Sequence, residues 1–229
     1  MTDYNGVNPL CFILLIETYL FISLCCEMQS ESKVDIQLEA IEVLLNHILY
    51  VRGVYPAQIF KKRRIYNTPV FVSIFPPLNN YLAGVLKSVK ELMGRNELQS
   101  LEVILYHDEN NPLESYQMQV ESLVTGASEN DPHLIEYEQQ LRSAIYKLSE
   151  RVKQLTKLPP GTTSFKIHLH TSQDAFVRLS HESQFQEFPW LQAQNLKIQK
   201  NSQTQNMSLL PLAAVENVGL KMEARIFKV

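Results

Sequence analysis

The chain has 229 residues, of which 45% are apolar and only seven are glycine, so it is long enough for one large packed domain or two small ones. Its formal charge of −3 supplies no overall basic field, which argues against a protein that holds nucleic acid by bulk charge. All three cysteines (Cys11, Cys25 and Cys26) lie in the first 26 residues, so the rest has neither a disulfide framework nor a cysteine zinc site, as in a reducing compartment.

The first apolar run, Leu10–Cys26, reads LCFILLIETYLFISLCC and is interrupted by Glu17. It has no basic residue before it, unlike a secretory signal. It is also short for a membrane span and carries a carboxylate. An extension outside the folded core, an added packed helix and a membrane or targeting role all remain open. Met28 would serve as an internal start if the extension is dispensable. Asp3, Glu17 and Glu27 are the acids before Met28, so the remaining chain carries equal numbers of acidic and basic residues. That balance suits an adaptor better than a direct nucleic-acid binder.

Over Val34–Val51, apolar residues at Ile41, Leu44, Leu45, Ile48 and Val51 follow helical spacing, and Val43 and Leu49 widen the stripe to nearly all sides. Gly53 and Pro56 end this helix. A basic hairpin follows: Lys61, Lys62, Arg63 and Arg64 suit a nuclear-localisation patch, a phosphate contact or a solvated surface. Val70–Ile74 reads as a strand, broken by Pro76-Pro77. Leu78–Met93 reads as a second helix with Gly94 as its C-cap. Leu101–His107 and Tyr116–Val124 form an expected antiparallel pair across DENNP. A third helix is expected from Asp131 as N-cap through Leu155, stopped by Leu158-Pro159-Pro160-Gly161. Phe165, Ile167 and Leu169 alternate with Lys166, His168 and His170 in one more strand.

Beyond Thr171 polar residues dominate and apolar anchors are sparse, Phe176, Phe185, Phe188 and Trp190 among them, which predicts a loosely held tail. The sum is an α+β layout. No nucleophile–base order, glycine-rich phosphate loop or paired-carboxylate pattern stands out, and the sequence points to no enzyme and no cofactor. His168 and His170 could open a metal site, as a metal hydrolase would need, but no third ligand follows at a matching spacing.

Several segments carry more. ILYVRGVYPAQIFKKRRIYNTP (48–69) is followed by PPLNNYL (76–82), QLRSAIYKLS (140–149), LPPGTTSFKIHLHT (158–171), EFPWLQA (187–193), and finally SLLPL and GLKMEARI. In order and spacing they resemble the HORMA-domain family over residues 30–229, in the branch that serves translesion DNA polymerase zeta as its accessory subunit. The resemblance implies three core helices on a mainly antiparallel sheet, with residues 1–27 outside, 28–170 as the core and 171–229 as a safety belt with C-terminal strands. In that family a partner peptide joins the sheet as an extra strand and the belt closes over it, which slows release.

The resemblance also assigns residues. Tyr81 and Trp190 match aromatic positions that face a proline-containing peptide of the polymerase catalytic subunit, and Tyr55 is a candidate third. Arg142 matches an arginine that pairs two HORMA domains. Leu209, Glu223 and Arg225 fall on the surface that docks the Y-family scaffold polymerase, but Glu223 and Arg225 replace uncharged glutamine and tyrosine there. The implied role is a non-catalytic adaptor in translesion synthesis and repair choice, in the nucleus with a cytoplasmic pool. The alternatives are a regulator binding activators of the anaphase-promoting complex and, more remotely, a membrane-associated protein.

Overall fold

A computed structural model describes residues 33–65, 67–108, 111–121, 135–158, 164–185, 188–192, 207–215 and 219–227. The apolar run at 10–26, Met28, and the Asp131-Pro132 and Pro159–Gly161 signals lie outside them.

Helix α1 covers residues 33–51, and Ile41, Leu44, Leu45, Ile48 and Leu49 are all buried, so it is enclosed on most sides as expected. It stops at Gly53, whose φ of +63° lets Val54 N–H reach the Leu49 carbonyl (3.1 Å) and Gly53 N–H the Tyr50 carbonyl (3.1 Å). Strands β1 (Phe60–Ile65) and β2 (Thr68–Ser73) form a separate antiparallel hairpin. Its base packs on α1 through Tyr50, which stacks on Phe71 and meets Phe60 edge-on. Helix α2 (Pro76–Gly94) begins two residues before the expected Leu78, because the two prolines occupy first-turn positions where their missing N–H groups cost nothing. Gly94 is not the cap. It stays helical, and Asn96 takes the left-handed turn at φ +54°.

β3 (Ser100–Asp108), β4 (Asn111–Val120), β5 (Ser164–His170), β6 (Met207–Val215) and β7 (Leu220–Phe227) build one antiparallel sheet in the order β5-β3-β4-β7-β6. Leu101, Val103 and Leu105 of β3, with Tyr116 and Met118 of β4, belong to a single core shared with α1, α2 and α3 (Ile135–Lys153). Leu141, Ile145, Leu148 and Val152 form the buried stripe of α3. β6 runs beside α3.

A buried clasp closes the end of this core. Arg52 donates through Nε to Glu114 Oε2 (2.7 Å), through Nη2 to Glu114 Oε1, and through Nη2 to the Thr156 carbonyl (2.9 Å). The Tyr116 hydroxyl donates to Glu114 Oε2 (2.7 Å). The chain just past α1, β4 and the segment after α3 are thereby joined, and the buried charges are paired.

The tail after Thr171 departs from the loose reading at its start. Gln173–His181 is a fourth helix, α4, whose Ser172 Oγ accepts from Ala175 N–H (3.2 Å). Ala175, Leu179 and then Phe185 supply its buried contacts. Two small apolar residues on a nine-residue helix are enough when its flanks are tied by polar bonds. That arrangement gives little apolar periodicity to read.

Candidate peptide-clamp site

The edge strand β5 and the second helix define the site. No described strand pairs with the outer edge of β5, whose inner edge is hydrogen-bonded to β3. Beside it runs a chain of aromatic rings. Tyr55 meets Phe165 of β5 edge-on (6.1 Å), Phe165 meets Tyr81 (5.6 Å), Tyr81 meets Phe188 (5.6 Å), and Phe188 meets Trp190 (5.4 Å). Phe75 adds a tilted contact to Tyr55 at 6.4 Å. The structure thus brings together Tyr55, Tyr81 and Trp190, the three residues expected to meet a peptide. Burial raises the Tyr81 phenol, and a hydrogen bond with the main chain of Ile167, on β5, partly offsets it. Burial also raises Tyr55. Both hydroxyls therefore stay protonated across the physiological range.

Trp190 is fixed by more than packing. Its Nε1–H donates to Ser88 Oγ (2.8 Å), and the Ser88 hydroxyl donates to the Gly84 carbonyl one turn back (3.2 Å). Ser88 is fully buried, so this chain of bonds satisfies it. Gly84 has a second use. A Cβ there would overlap the Phe188 ring, lying 2.8 Å from Cε2 and 2.9 Å from Cγ. A glycine inside a helix costs about 1 kcal/mol relative to alanine. Here it makes room for the ring.

Further along α2 the same stripe continues. Lys87 Nζ donates to the Gln184 carbonyl (2.8 Å) and stands over the Phe185 ring. Arg95 pairs with Glu91 (2.5 Å) and Glu182 (3.4 Å). Arg178 of α4 donates through Nη1 to Glu97 Oε1 (2.7 Å) and through Nη2 to Oε2, while Thr171 Oγ1 donates to the Glu97 carbonyl (2.8 Å). The Arg178 bond holds the Glu97 carboxyl below the usual carboxylate range against a small burial effect. Residues 84, 87, 88, 91 and 95 thus present one helical face to the segment 171–190. Sequence reading missed Gly84, Ser88 and Lys87 because polar residues at that spacing look like a solvated face. It read Phe165 only as a strand position and Phe188 only as an anchor of the tail.

The other nominated residues sit elsewhere. Arg142 is exposed on α3 and reaches the Asn67 carbonyl at 3.4 Å. Lys61, Lys62, Arg63 and Arg64 are all exposed on β1. Leu209 on β6 lies opposite Arg225 of β7, and Glu223 lies opposite Gln117 of β4. Arg225 Nη2 donates to Gln117 Oε1 (2.6 Å) and its Nη1 lies 3.9 Å from Glu102, so its charge is engaged within the sheet. His170 Nε2 lies 3.0 Å from Glu102 Oε2, and the Ser115 hydroxyl donates to Glu102 Oε1. Burial works to raise the Glu102 carboxyl, but the His170 and Ser115 bonds and nearby positive charge outweigh it, and its pKa lies below the usual value. Among the described residues, no group of three His, Cys, Asp or Glu is placed to hold a metal. No helix among the described residues is long and apolar enough to cross a membrane.

The HORMA domain description matches residues 35–209. The chain belongs to the HORMA-domain family. A relative named DNA polymerase zeta subunit 2, from Drosophila melanogaster, is 59% identical over 87% of this chain and 99% of its own length. Mitotic spindle assembly checkpoint protein MAD2B from Danio rerio is 33% identical, over 82% of this chain and 87% of that protein. In three dimensions the fold matches a chain in the crystal structure of the mitotic checkpoint complex, with a TM-score of 0.68 at 19% identity, covering 87% and 97% of the two chains. The α+β architecture expected from the sequence is the HORMA fold.

Proposed function

We propose that this HORMA protein is a non-catalytic adaptor, the accessory subunit of DNA polymerase zeta, acting in translesion synthesis and damage repair. A proline-containing segment of the catalytic subunit pairs with the outer edge of β5, and the safety belt within residues 171–229 closes over it. The observation that carries the reading is the β5 edge, to which no described strand pairs, flanked by the Tyr55–Phe165–Tyr81–Phe188–Trp190 run. Strand addition supplies main-chain hydrogen bonds, and aromatic walls suit prolines, whose backbone is already extended. The 59% identity to a polymerase zeta subunit supports the choice of partner. The adaptor works in the nucleus, with a cytoplasmic pool. Arg142 on the exposed face of α3 pairs it with a second HORMA domain, or with repair-choice factors that carry one. The Y-family scaffold polymerase meets the Leu209–Glu223–Arg225 surface through polar rather than aromatic contacts, because Arg225 is drawn into the sheet by Gln117.

The test is binding of the purified chain to a proline-containing peptide of the catalytic subunit, followed by its release. Native protein should bind tightly and release slowly. Trp190→Ala and Tyr81→Ala should each weaken binding about 30-fold or more, the size of an aromatic hot spot. Gly84→Ala should speed release by expelling Phe188 from α2, while the helix itself becomes a better helix. A well-folded sample that ignores the peptide would reject the reading. The second reading, a regulator binding activators of the anaphase-promoting complex, is favoured by the match to the mitotic checkpoint complex and by the checkpoint name of the MAD2B relative. It predicts that an activator peptide binds in preference to the polymerase peptide.

A further inference from the structure

The clamp leaves the basic run of β1 unused. Lys61, Lys62, Arg63 and Arg64 are all exposed, while β2 turns Thr68, Val70 and Ser73 inward. Among the described residues, none of the four cations has a hydrogen-bond or ion-pair partner. The residues opposite them on β2 are Val72, Phe71, Val70 and Pro69, so no acid faces them across the hairpin. At the turn end of the hairpin, Glu138 accepts from Asn67 Nδ2 at 3.3 Å.

One or two lysines on an edge strand are enough to block stray strand pairing. Four in a row do more. A strand advances about 3.3 Å per residue, and one nucleic-acid strand carries a phosphate about every 3.4 Å of axis. Side chains alternate faces along a strand, so Lys61 and Arg63 share one face and Lys62 and Arg64 the other, each pair about 6.6 Å apart, or about two phosphate steps along one nucleic-acid strand, and both faces are open to solvent. The net charge of −3 does not cancel this patch, since charges beyond a screening length of about 8 Å are largely invisible at physiological salt.

We propose that β1 is a phosphate-backbone contact: a basic edge strand that lies along one strand of nucleic acid without reading its bases. It steadies the adaptor beside its template while the β5 edge holds the partner peptide. The choice of nucleic acid over an acidic peptide rests on the polymerase reading.

The experiment uses the full chain carrying the polymerase peptide. Binding to a fluorescent 20-base-pair duplex of arbitrary sequence is measured between about 50 and 200 mM salt, the range in which counterion release is strong. With the two cations of one face engaging two phosphates, affinity should fall on the order of 10-fold over that range. Lys61→Gln, Lys62→Gln, Arg63→Gln and Arg64→Gln together should abolish most of this dependence while melting and peptide release stay native. Lys147→Gln, Arg151→Gln, Lys153→Gln and Lys157→Gln remove the same charge at the far end of α3 and should leave DNA binding intact. DNA affinity unchanged in the β1 variant, or equally lost in the α3 variant, would overturn the proposal. So would a polyglutamate peptide competing as well as DNA at equal charge, which would assign β1 to an acidic protein. Loss of peptide retention in native protein would instead strike the clamp reading and leave the DNA result standing.

Discussion

Two arginine–glutamate clasps of the same chemistry sit in different solvents. Arg52 and Glu114 have side chains 4% and 5% exposed, inside the core. Arg178 and Glu97 are 29% and 27% exposed, where α4 meets the end of α2. Each arginine makes two bonds to its carboxylate. In the first pair, water is excluded and neither charge survives the loss of the other. In the second, water and salt can replace either partner. The difference assigns the jobs. The buried clasp belongs to a core that stays shut, and the surface clasp to a segment that has to open if a peptide is to enter. The aromatic moorings lie between these extremes, because Phe188 and Trp190 are held by shape and one hydrogen bond rather than by charge.

The largest expected effect tests the buried pair. Arg52→Ala leaves Glu114 buried beside the Tyr116 hydroxyl with its main partner gone, and should cost about 3–5 kcal/mol of stability. The Tyr116 phenol, raised by burial and then by the Glu114 charge, stays neutral and offers the carboxylate one hydrogen bond in place of a counter-charge. Replacing both members, Arg52→Met with Glu114→Leu, should recover much of that loss, since the penalty comes from the orphaned charge. Urea unfolding of the two variants decides it. A double variant as unstable as Arg52→Ala would mean that the clasp is needed as such.

A second effect sharpens the contrast by pH. His47, on α1, faces Ser149 of α3, with Nε2 2.8 Å from the hydroxyl. That hydroxyl donates to the Ile145 carbonyl (2.9 Å), so it accepts from Nε2–H, and the buried Nδ1 has no hydrogen-bond partner among the described residues. Burial pushes the imidazole down to about 4 from 6.5, against a smaller opposing bond to the Ile145 main chain. A depressed folded value means that the unfolded chain binds the proton first. The stability is fully present above pH 6.5 and is lost as pH falls toward 4, by up to about 3 kcal/mol. His168, lowered by partial burial, adds in the same direction. Unfolding free energies at pH 7, 6 and 5 should fall for native protein and fall much less for His47→Gln. Equal slopes would place the acid sensitivity elsewhere.

How much of this could be read beforehand follows from the same contrast. The α1 stripe, the strand alternation around Tyr116 and the positions of Tyr81 and Trp190 were legible, because apolar periodicity and an ordered series of segments both survive in a bare sequence. The α4 helix was not, since only Ala175 and Leu179 of it are buried and, beyond the local Ser172 cap, its stability lies in Arg178 and Thr171 bonding to Glu97, distant in sequence. Gly84 was likewise silent: a helix interior glycine signals weakness until the ring that fills its space is known. Arg52 sat in plain view within VRGVYP, but its partner lies 62 residues away.

The smallest expected effect falls on the surface clasp, and it separates opening from unfolding. Arg178→Gln should leave the melting temperature nearly unchanged, because the exposed pair is exchanged for hydration. It should still speed amide exchange across Ala175–His181, where α4 rests on two buried side chains and this clasp, while α2 exchange stays native. Salt near 1 M, with a screening length of about 3 Å, should reproduce part of that increase in native protein and add little to the variant. Acid should do the same at lower pH. Glu97 is held below the ordinary 4.5 by Arg178, so the clasp persists above that value and is lost as pH falls through the lowered one. Equal acceleration in α2 and α4 would mean that the segment and the core open as one unit, and the two clasps would then share a single job.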